Sequence, residues 1–170
     1  MDNVIIIDDF FDKDILNDIV TFFKTYDWKS LSTLSTNTQG SDVPFWRINL
    51  NEYSLFSNCL TEIIKKKFKK NLSLIRVYAV CQTYGQTSNF HTDSLDKNHY
   101  TLCYYINENV NDSGHLYIRD PKSERIMCIE PIINRGVFFP SNYIHKGTEL
   151  NNPYTIRVCI AWKLEELLID

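Results

Sequence analysis

From Leu74 onward the chain consists of short apolar runs separated by turn-forming residues, with no helical spacing between them. The turn signals are Tyr84-Gly85, Asn111-Asp112-Ser113-Gly114, Asp120-Pro121 and Asn151-Asn152-Pro153. The runs predict the strands Leu74–Gln82, Ser88–Asp93, Tyr100–Ile106, His115–Ile118, Ile126–Ile129, Gly136–Phe139, Ile144–Lys146 and Thr155–Trp162. About eight short strands in succession are typical of a double-sheet jelly roll or a related barrel.

Two helices are predicted before these strands. The first follows a capping Asp12 or Asp14 and reaches about Tyr26, and the second runs from about Tyr53 to Lys70. The polar segment Ser30–Asp42 between them is predicted to be a loop. This order predicts a mainly β fold with flanking α-helices: a cupin-like double-stranded β-helix, or jelly roll, with the two N-terminal helices packed on one sheet. Without a repeat or a Pro/Gly-rich linker, residues 1–170 are expected to form one domain.

Composition narrows the class of protein. The net charge of −3 gives no general reason to expect a nucleic acid partner. The five scattered cysteines include no C-x-x-C pair, so Cys81, Cys103 and Cys159 are interpreted as buried thiols. The N-terminus has no signal-peptide pattern, and no run approaches the roughly 20 apolar residues of a membrane span. We expect a cytoplasmic protein without a membrane partner, and its oligomeric state stays open.

Three polar residues have the pattern of a metal centre. His91 and Asp93 are two positions apart at the end of a predicted strand, so they point to the same side. An H-x-D step alone is weak evidence, because a histidine at a strand end more often bonds a neighbouring carbonyl. His145, from a later strand, supplies a third candidate ligand. Two imidazoles and one carboxylate leave three coordination positions open, as in non-haem Fe(II) oxygenases, so these three residues are the predicted catalytic metal ligands.

Arg157 lies inside an apolar run of the last predicted strand. A guanidinium is costly to bury unless an anion reaches it, and no acidic residue lies nearby in sequence. Its planar shape suits bidentate binding of a carboxylate such as the distal carboxylate of 2-oxoglutarate. A structural salt bridge to a distant Asp or Glu is the alternative.

Together these motifs resemble the prolyl hydroxylase branch of the Fe(II)/2-oxoglutarate-dependent oxygenases, which includes the collagen-type and the oxygen-sensing prolyl hydroxylases. The resemblance covers residues 76–162, within a catalytic core expected at about 74–163. The matching segments are Tyr84-Gly85-Gln86 before His91-Thr92-Asp93, the strand from Tyr100 to Asn107, Ser113-Gly114-His115-Leu116, Gly136-Val137-Phe138-Phe139 before His145, and the strand from Arg157 to Trp162.

The resemblance also implies cofactor contacts. Tyr105 would bond the far carboxylate of 2-oxoglutarate beside Arg157. Cys81 lies roughly where the oxygen-sensing enzymes have a pocket tyrosine, so Tyr78 or Tyr84 would take that place, and Tyr84 is included among the expected cofactor-binding residues. The spacing from His145 to Arg157 is slightly longer than usual in this branch, which indicates a small insertion.

The implied activity is hydroxylation of a substrate C–H bond, with release of succinate and CO2. Fe(II) and 2-oxoglutarate would be the cofactors, with ascorbate as a reductant, and the expected substrate is a prolyl residue of a protein or peptide. Two alternatives stay open: a free amino acid or small metabolite as substrate, and a cupin-like metal protein that is not an oxygenase. Trp46-Arg47, Ser30–Asp42 and Ser94–Asn98 are expected to border the substrate entrance.

Overall fold

The computed structural model describes residues 3–27, 32–34, 45–107 and 113–168. Ten strands are present in these parts of the chain: β1 Ile5–Ile7, β2 Ser32–Leu34, β3 Phe45–Asn49, β4 Leu72–Gln82, β5 His99–Tyr105, β6 Leu116–Arg119, β7 Ile126–Ile129, β8 Gly136–Pro140, β9 His145–Gly147 and β10 Arg157–Glu166. Helix α1 spans Lys13–Thr25, and a π-helical segment, Leu55–Leu60, continues into helix α2, Thr61–Phe68.

The strands form two antiparallel sheets. The larger sheet has the order β1-β8-β5-β10-β4-β3-β2, and the smaller sheet has the order β7-β6-β9. From β5 onward the chain crosses repeatedly between the sheets, because β5, β8 and β10 lie in the larger sheet and β6, β7 and β9 in the smaller one. This is the topology of a double-stranded β-helix. The predicted fold class is therefore confirmed.

One face of the larger sheet carries the main core. Val77 and Ala79 of β4 and Ile160 of β10 are fully buried there, as is Trp162. The apolar stripes of both helices pack against this face through Ile19, Phe23, Phe56, Leu60 and Ile64. Since burying each such side chain contributes roughly 1.5–3 kcal/mol, this contact holds the helices on one sheet, as predicted.

A buried asparagine fastens the segment before α1 to the larger sheet. The Asn134 side chain accepts hydrogen bonds from the backbone N–H of Phe11 (3.0 Å) and from the hydroxyl of Tyr104 (2.8 Å). Its Nδ2 donates to the carbonyl of Phe11 at 2.8 Å. All of the polar side-chain atoms of this asparagine are thus satisfied away from water.

Three elements differ from the sequence prediction. The strand predicted at Ser88–Asp93 is wrong: residues 86–90 have no regular structure, and His91 makes one isolated bridge to His145. The bridge does not continue as a regular ladder: beyond it, the backbone N–H groups of Asp93 and Ser94 both donate to the carbonyl of Ser141.

The loop predicted at Ser30–Asp42 contains strand β2 instead. It pairs with β3, which the sequence prediction missed, and this long-range pairing overrides the polar local sequence. The other residues of that predicted loop, and the turn residues Asn111 and Asp112, lie outside the described residues. No helix in the described parts of the chain is long and apolar enough to cross a membrane.

Candidate active site

The three predicted metal ligands lie together at one end of the smaller sheet. His91, Asp93 and His145 each offer one ligand atom, and these atoms lie within 4.8 Å of one another. The Nε2 of His145 is 3.3 Å from Oδ2 of Asp93, and the Nε2 of His91 is 4.0 Å from Oδ1. The bridge between His91 and His145 brings the two sequence-distant segments into register.

Both imidazole rings are held in the tautomer that a metal requires. Nδ1 of His91 lies 2.9 Å from the carbonyl of Asn89, and Nδ1 of His145 lies 2.8 Å from the carbonyl of Tyr143. A carbonyl only accepts, so each Nδ1 carries the proton and each Nε2 keeps a lone pair. Burial and the neighbouring His145 lower the pKa of His91, which favours its neutral, ligating form.

The Asp93 carboxylate is held in its ionised form by a buried lysine. Oδ2 of Asp93 accepts hydrogen bonds from Nζ of Lys163 and, at 2.7 Å, from the hydroxyl of Thr101. Burial by itself raises the pKa of Asp93, but the charge of Lys163 outweighs it and helps to hold this pKa well below its usual range. The sequence interpretation missed Lys163, although strand alternation places it on the same side of β10 as Arg157.

The donor set fits Fe(II). Two neutral imidazoles and one carboxylate form the 2-His-1-carboxylate set of non-haem iron sites, which leaves positions for a cosubstrate and O2. Thiolate ligands, which would favour zinc or a cluster, are not part of the group that the described residues bring together. His91, Asp93 and His145 could therefore hold the iron.

The metal centre opens into a cavity of about 310 Å³ between the two sheets. Residues of β10 at alternate positions line it, namely Arg157, Cys159, Ala161 and Lys163. Trp162, matched to the strand motif together with Arg157, faces the opposite side, where its Nε1 donates to the carbonyl of Phe56 at 3.1 Å. Five positions separate the two residues, and an odd spacing puts them on opposite faces of a strand.

Arg157 lies in this cavity as a buried cation that is only partly satisfied. Its side chain is 4% exposed, Nη1 donates to the carbonyl of Gly114, and the buried Nε has no hydrogen-bond partner. Among the described residues no acidic side chain forms a salt bridge with Arg157, so they offer no support for the structural alternative. A buried guanidinium with an N–H to spare fits the carboxylate of 2-oxoglutarate.

Gly147 lies so close to Arg157 that a larger residue there would displace neighbouring side chains. A Cβ on Gly147 would lie 2.5 Å from Nη2 of Arg157 and 2.9 Å from Oε1 of Gln82. Gln82, which also lines the cavity, is held by a 3.0 Å bond from its Nε2 to the carbonyl of Gln86. Neither residue was singled out from the sequence, because the close approach joins three separate strands.

Of the two tyrosines expected to contact 2-oxoglutarate, one lies in the cavity. Tyr105 lines it and is 2% exposed, and burial raises its pKa well above the usual range, so it stays a neutral O–H donor. Tyr84 is 61% exposed and is not among the lining residues, so the structure does not bring it together with the other expected cofactor-binding residues. It follows the end of β4, in a turn at Gly85 (φ 72°). Tyr78, the other alternative, lines the cavity, whereas Cys81 faces the main core.

The comparisons with known proteins agree with this site. A sequence profile of the 2OG-Fe(II) oxygenase superfamily matches residues 76–162, about half of the chain, and the chain therefore belongs to this superfamily. It is an oxidoreductase of a family whose cofactors are Fe(II) and 2-oxoglutarate. No protein of curated function matches the sequence significantly.

Solved structures share the fold at low sequence identity. A Trichoplax adhaerens prolyl hydroxylase, solved with a hypoxia inducible factor peptide, is 18% identical with a TM-score of 0.73, over 96% of this chain and 84% of that one. A Pseudomonas putida prolyl-4-hydroxylase is 13% identical with a TM-score of 0.74, over 97% and 93%. Streptomyces hygroscopicus HygX, solved with nickel, 2-oxoglutarate and hygromycin B, is 11% identical with a TM-score of 0.65, over 98% and 84%.

Proposed function

We propose that this chain is an Fe(II)- and 2-oxoglutarate-dependent dioxygenase that hydroxylates a prolyl residue of a protein or peptide. The observation that carries the proposal is the convergence, in one cavity, of two ligating imidazoles, a carboxylate and a buried arginine whose Nε lacks a partner. Each feature alone has a structural explanation, but together they match the needs of a metal and a dicarboxylate that bind side by side.

The proposed roles follow from the chemistry of each group. His91, Asp93 and His145 bind the iron, and Arg157 binds the far carboxylate of 2-oxoglutarate, with the hydroxyl of Tyr105 as a further donor. When bound, iron and 2-oxoglutarate supply the O2 activation that hydroxylates a C–H bond, with release of succinate and CO2. Ascorbate would serve as reductant. The buried sides of both sheets exclude water from this reaction.

A prolyl substrate is supported by the resemblance of the motifs and by the two prolyl hydroxylases that share the fold. At this low sequence identity, the similarity is support from a shared fold and not from shared substrate-binding residues. A small molecule is the second candidate, favoured by the fold shared with HygX, which was solved with hygromycin B bound. We also propose that the protein is cytoplasmic. Its three buried cysteines are free thiols and form no disulfide, which suits a reducing compartment.

The decisive experiment is an anaerobic titration of metal-free protein with Fe(II) and 2-oxoglutarate, monitored by the visible charge-transfer absorption of the chelate. The wild type is expected to develop the band, and Arg157→Ala to require much more 2-oxoglutarate for the same absorbance. Arg125→Ala, on an exposed residue outside the cavity, is the matched control. Iron binding without any band would contradict the oxygenase function and favour a cupin-like metal protein.

The substrate class is tested after the cofactors. Prolyl peptides and free amino acids are incubated aerobically with the loaded enzyme, and succinate release is measured together with the gain of one oxygen atom by mass spectrometry. Hydroxylation of peptides and not of free amino acids supports the prolyl proposal. Hydroxylation of a free amino acid alone supports the small-molecule candidate.

A further inference from the structure

The end of the cavity where Arg157 lies also contains a buried amide side chain, that of Gln82. Gln82 is the last residue of β4 and pairs directly with Arg157, the first residue of β10. It is 3% exposed and lines the cavity. Side chains directly opposite each other in an antiparallel pair lie on the same face of the sheet, so the amide and the guanidinium are neighbours.

One hydrogen bond fixes the direction in which the Gln82 amide faces. Its Nε2 donates to the carbonyl of Gln86 at 3.0 Å. A carbonyl only accepts, so the nitrogen must be the atom turned towards Gln86, and the oxygen Oε1 is left to face the cavity. The turn is braced as well, because the N–H of Thr83 donates to Oε1 of Gln86 at 2.8 Å and the N–H of Gln86 donates to the carbonyl of Thr83 at 3.2 Å. The amide is therefore held in one orientation.

Oε1 of Gln82 and the guanidinium of Arg157 approach each other at Gly147. A Cβ on Gly147 would lie 2.9 Å from Oε1 and 2.5 Å from Nη2 of Arg157, so both atoms flank the same point. Gly147 is itself fixed, because its N–H donates to Oγ of Ser88 (3.0 Å) and its carbonyl accepts from the N–H of Ser88 (3.1 Å). Among the described residues no donor forms a hydrogen bond with Oε1. A free acceptor thus lies beside a guanidinium whose buried Nε also lacks a partner.

The neutrality of this acceptor suits an anion site. A carboxylate at this position would form a salt bridge with Arg157 and compete with an anionic ligand for its charge, whereas an apolar side chain would give the guanidinium no acceptor on this side. Nη1 of Arg157 donates to another neutral acceptor, the carbonyl of Gly114. Neutral acceptors hold the guanidinium in place and leave its positive charge available to a ligand.

We infer that Gln82 is a positioning residue for the cosubstrate. Its Oε1 accepts a hydrogen bond from the guanidinium of Arg157 and so keeps the remaining N–H groups directed at the far carboxylate of 2-oxoglutarate. Gln82 acts through Arg157, because its Nε2 is bound to Gln86 and its Oε1 cannot donate to a carboxylate. The inference deepens the proposed function and rests on it.

The test compares two 2-oxo acids of equal chain length, 2-oxoglutarate and 2-oxopentanoate. Both chelate iron through the keto group and the adjacent carboxylate, but only 2-oxoglutarate carries the far carboxylate. Each acid is titrated anaerobically into Fe(II)-loaded protein, and the charge-transfer band gives its Kd. The ratio of the two Kd values measures the use of the far carboxylate and does not depend on the fraction of protein that is loaded. The wild type is expected to prefer 2-oxoglutarate by about a hundredfold.

Two variants change the acceptor and keep the side-chain length. Gln82→Met removes the acceptor, and Gln82→Glu replaces it with a carboxylate. The preference for 2-oxoglutarate should fall about tenfold in Gln82→Met, because the guanidinium is no longer oriented, and further in Gln82→Glu, because its charge is also neutralised. The affinity for 2-oxopentanoate should stay unchanged in both. Asn152→Asp adds the same negative charge at an exposed position outside the cavity lining and should keep the wild-type preference.

A double-mutant cycle tests whether Gln82 acts through Arg157. In the Arg157→Ala background, Gln82→Met should not change the preference any further, because no guanidinium is left to position. Thermal unfolding verifies that each variant is folded.

Failure of this inference is distinguishable from failure of the proposed function. A wild type that binds iron but gives no band contradicts the function, and a wild type that binds both acids equally contradicts the role of Arg157 in it. A wild-type preference that both Gln82 variants retain overturns the inference alone. Equal weakening of both acids in these variants would show that Gln82 has a structural role only, which also overturns it. A further loss of preference in the Arg157→Ala background would do the same, because Gln82 would then not act through Arg157.

Discussion

The ammonium group of Lys163 donates a hydrogen bond to Oδ2 of Asp93, the carboxylate that we propose as a metal ligand. Both side chains are 8% exposed, and they are 70 positions apart in the chain. Without a metal, the lysine supplies the positive charge that a buried carboxylate needs. With a metal, it holds one carboxylate oxygen and so orients the other.

The pair of Lys163 and Asp93 predicts how a bound metal ion changes the stability of the protein. Lys163→Met keeps the side-chain volume but leaves Asp93 buried without its cation, which should lower the free energy of unfolding of the metal-free protein by about 3 kcal/mol. Mn(II), a redox-stable substitute for Fe(II), should then stabilise the variant more than the wild type, because the ion replaces the missing charge and is no longer repelled by the lysine. Thermal unfolding with and without Mn(II) measures both effects.

The double variant Lys163→Met/Asp93→Asn is the control for this prediction. It contains no unpaired buried charge, so its metal-free form should be less destabilised than the single variant, and Mn(II) should have little effect on it. Equal stabilisation of the wild type and the single variant by Mn(II) would contradict the role given to Lys163.

Gly147→Ala should weaken 2-oxoglutarate binding without loss of the metal. The added Cβ would lie 2.5 Å from Nη2 of Arg157, so the guanidinium must move. We expect the Kd for 2-oxoglutarate to rise about tenfold or more, equivalent to about 1.4 kcal/mol. Anaerobic titration of the charge-transfer band measures this Kd. Thr148→Ala, at the next position and outside the cavity lining, is the control and should leave it unchanged.

Substitutions of two neighbouring tyrosines are expected to affect different properties, one the binding of 2-oxoglutarate and the other the stability of the fold. Tyr105→Phe removes a hydroxyl in the cavity and should raise the Kd for 2-oxoglutarate about tenfold or more, as expected for a lost bond to a charged group. Tyr104→Phe removes a hydroxyl that donates to Asn134 on the other face of β5. It should lower the free energy of unfolding by about 1 kcal/mol and leave 2-oxoglutarate binding intact. If Tyr104→Phe weakened 2-oxoglutarate binding and Tyr105→Phe lowered only the stability, the two side chains would lie on the opposite faces of β5 from those described.

The end of β10 predicts a pH-dependent contribution to stability. Glu166 accepts bonds from Lys70 (2.6 Å) and from the hydroxyl of Tyr100 (3.1 Å), and the bond from Lys70 lowers the pKa of Glu166. A carboxyl with a lowered folded-state pKa stabilises the protein above its unfolded pKa of about 4.3, and this stabilisation is lost as the pH falls through the folded-state value.

Urea unfolding of the wild type and Glu166→Gln between pH 7 and pH 3 measures this contribution. Because both partners are partly exposed, the wild type should be more stable by no more than about 1 kcal/mol at pH 7. The difference should shrink towards the acid end. A difference that does not change with pH would show that the ion pair contributes nothing.

The strongly periodic elements were predictable from the sequence. Strands such as β4, β7 and β10 were located within a few residues because they alternate or run apolar within clear turn signals. Strand β3 was missed, and β2 was assigned to a loop, because their conformation depends on pairing with β4 and with each other. The local amino-acid composition does not indicate which strands will pair with each other.

The residues of the site were also predictable only in part. His91, Asp93 and His145 were predicted from residue type and order, and the structure brings them together. Arg157 was predicted from its cost of burial, and Tyr105 was identified through the family motif. Tyr84, expected by the same reasoning, lies outside the cavity lining, because the motif does not say on which side of the turn its ring lies.

The sequence by itself determined the class of fold, the two imidazoles and carboxylate of the metal centre, and the buried arginine, because these follow from periodicity and from the chemistry of single residues. Only the tertiary structure decided what meets them: Lys163 on Asp93, and Gly147 with Gln82 against Arg157. Those contacts join strands far apart in the chain, and they depend on register and strand order, which no local pattern encodes.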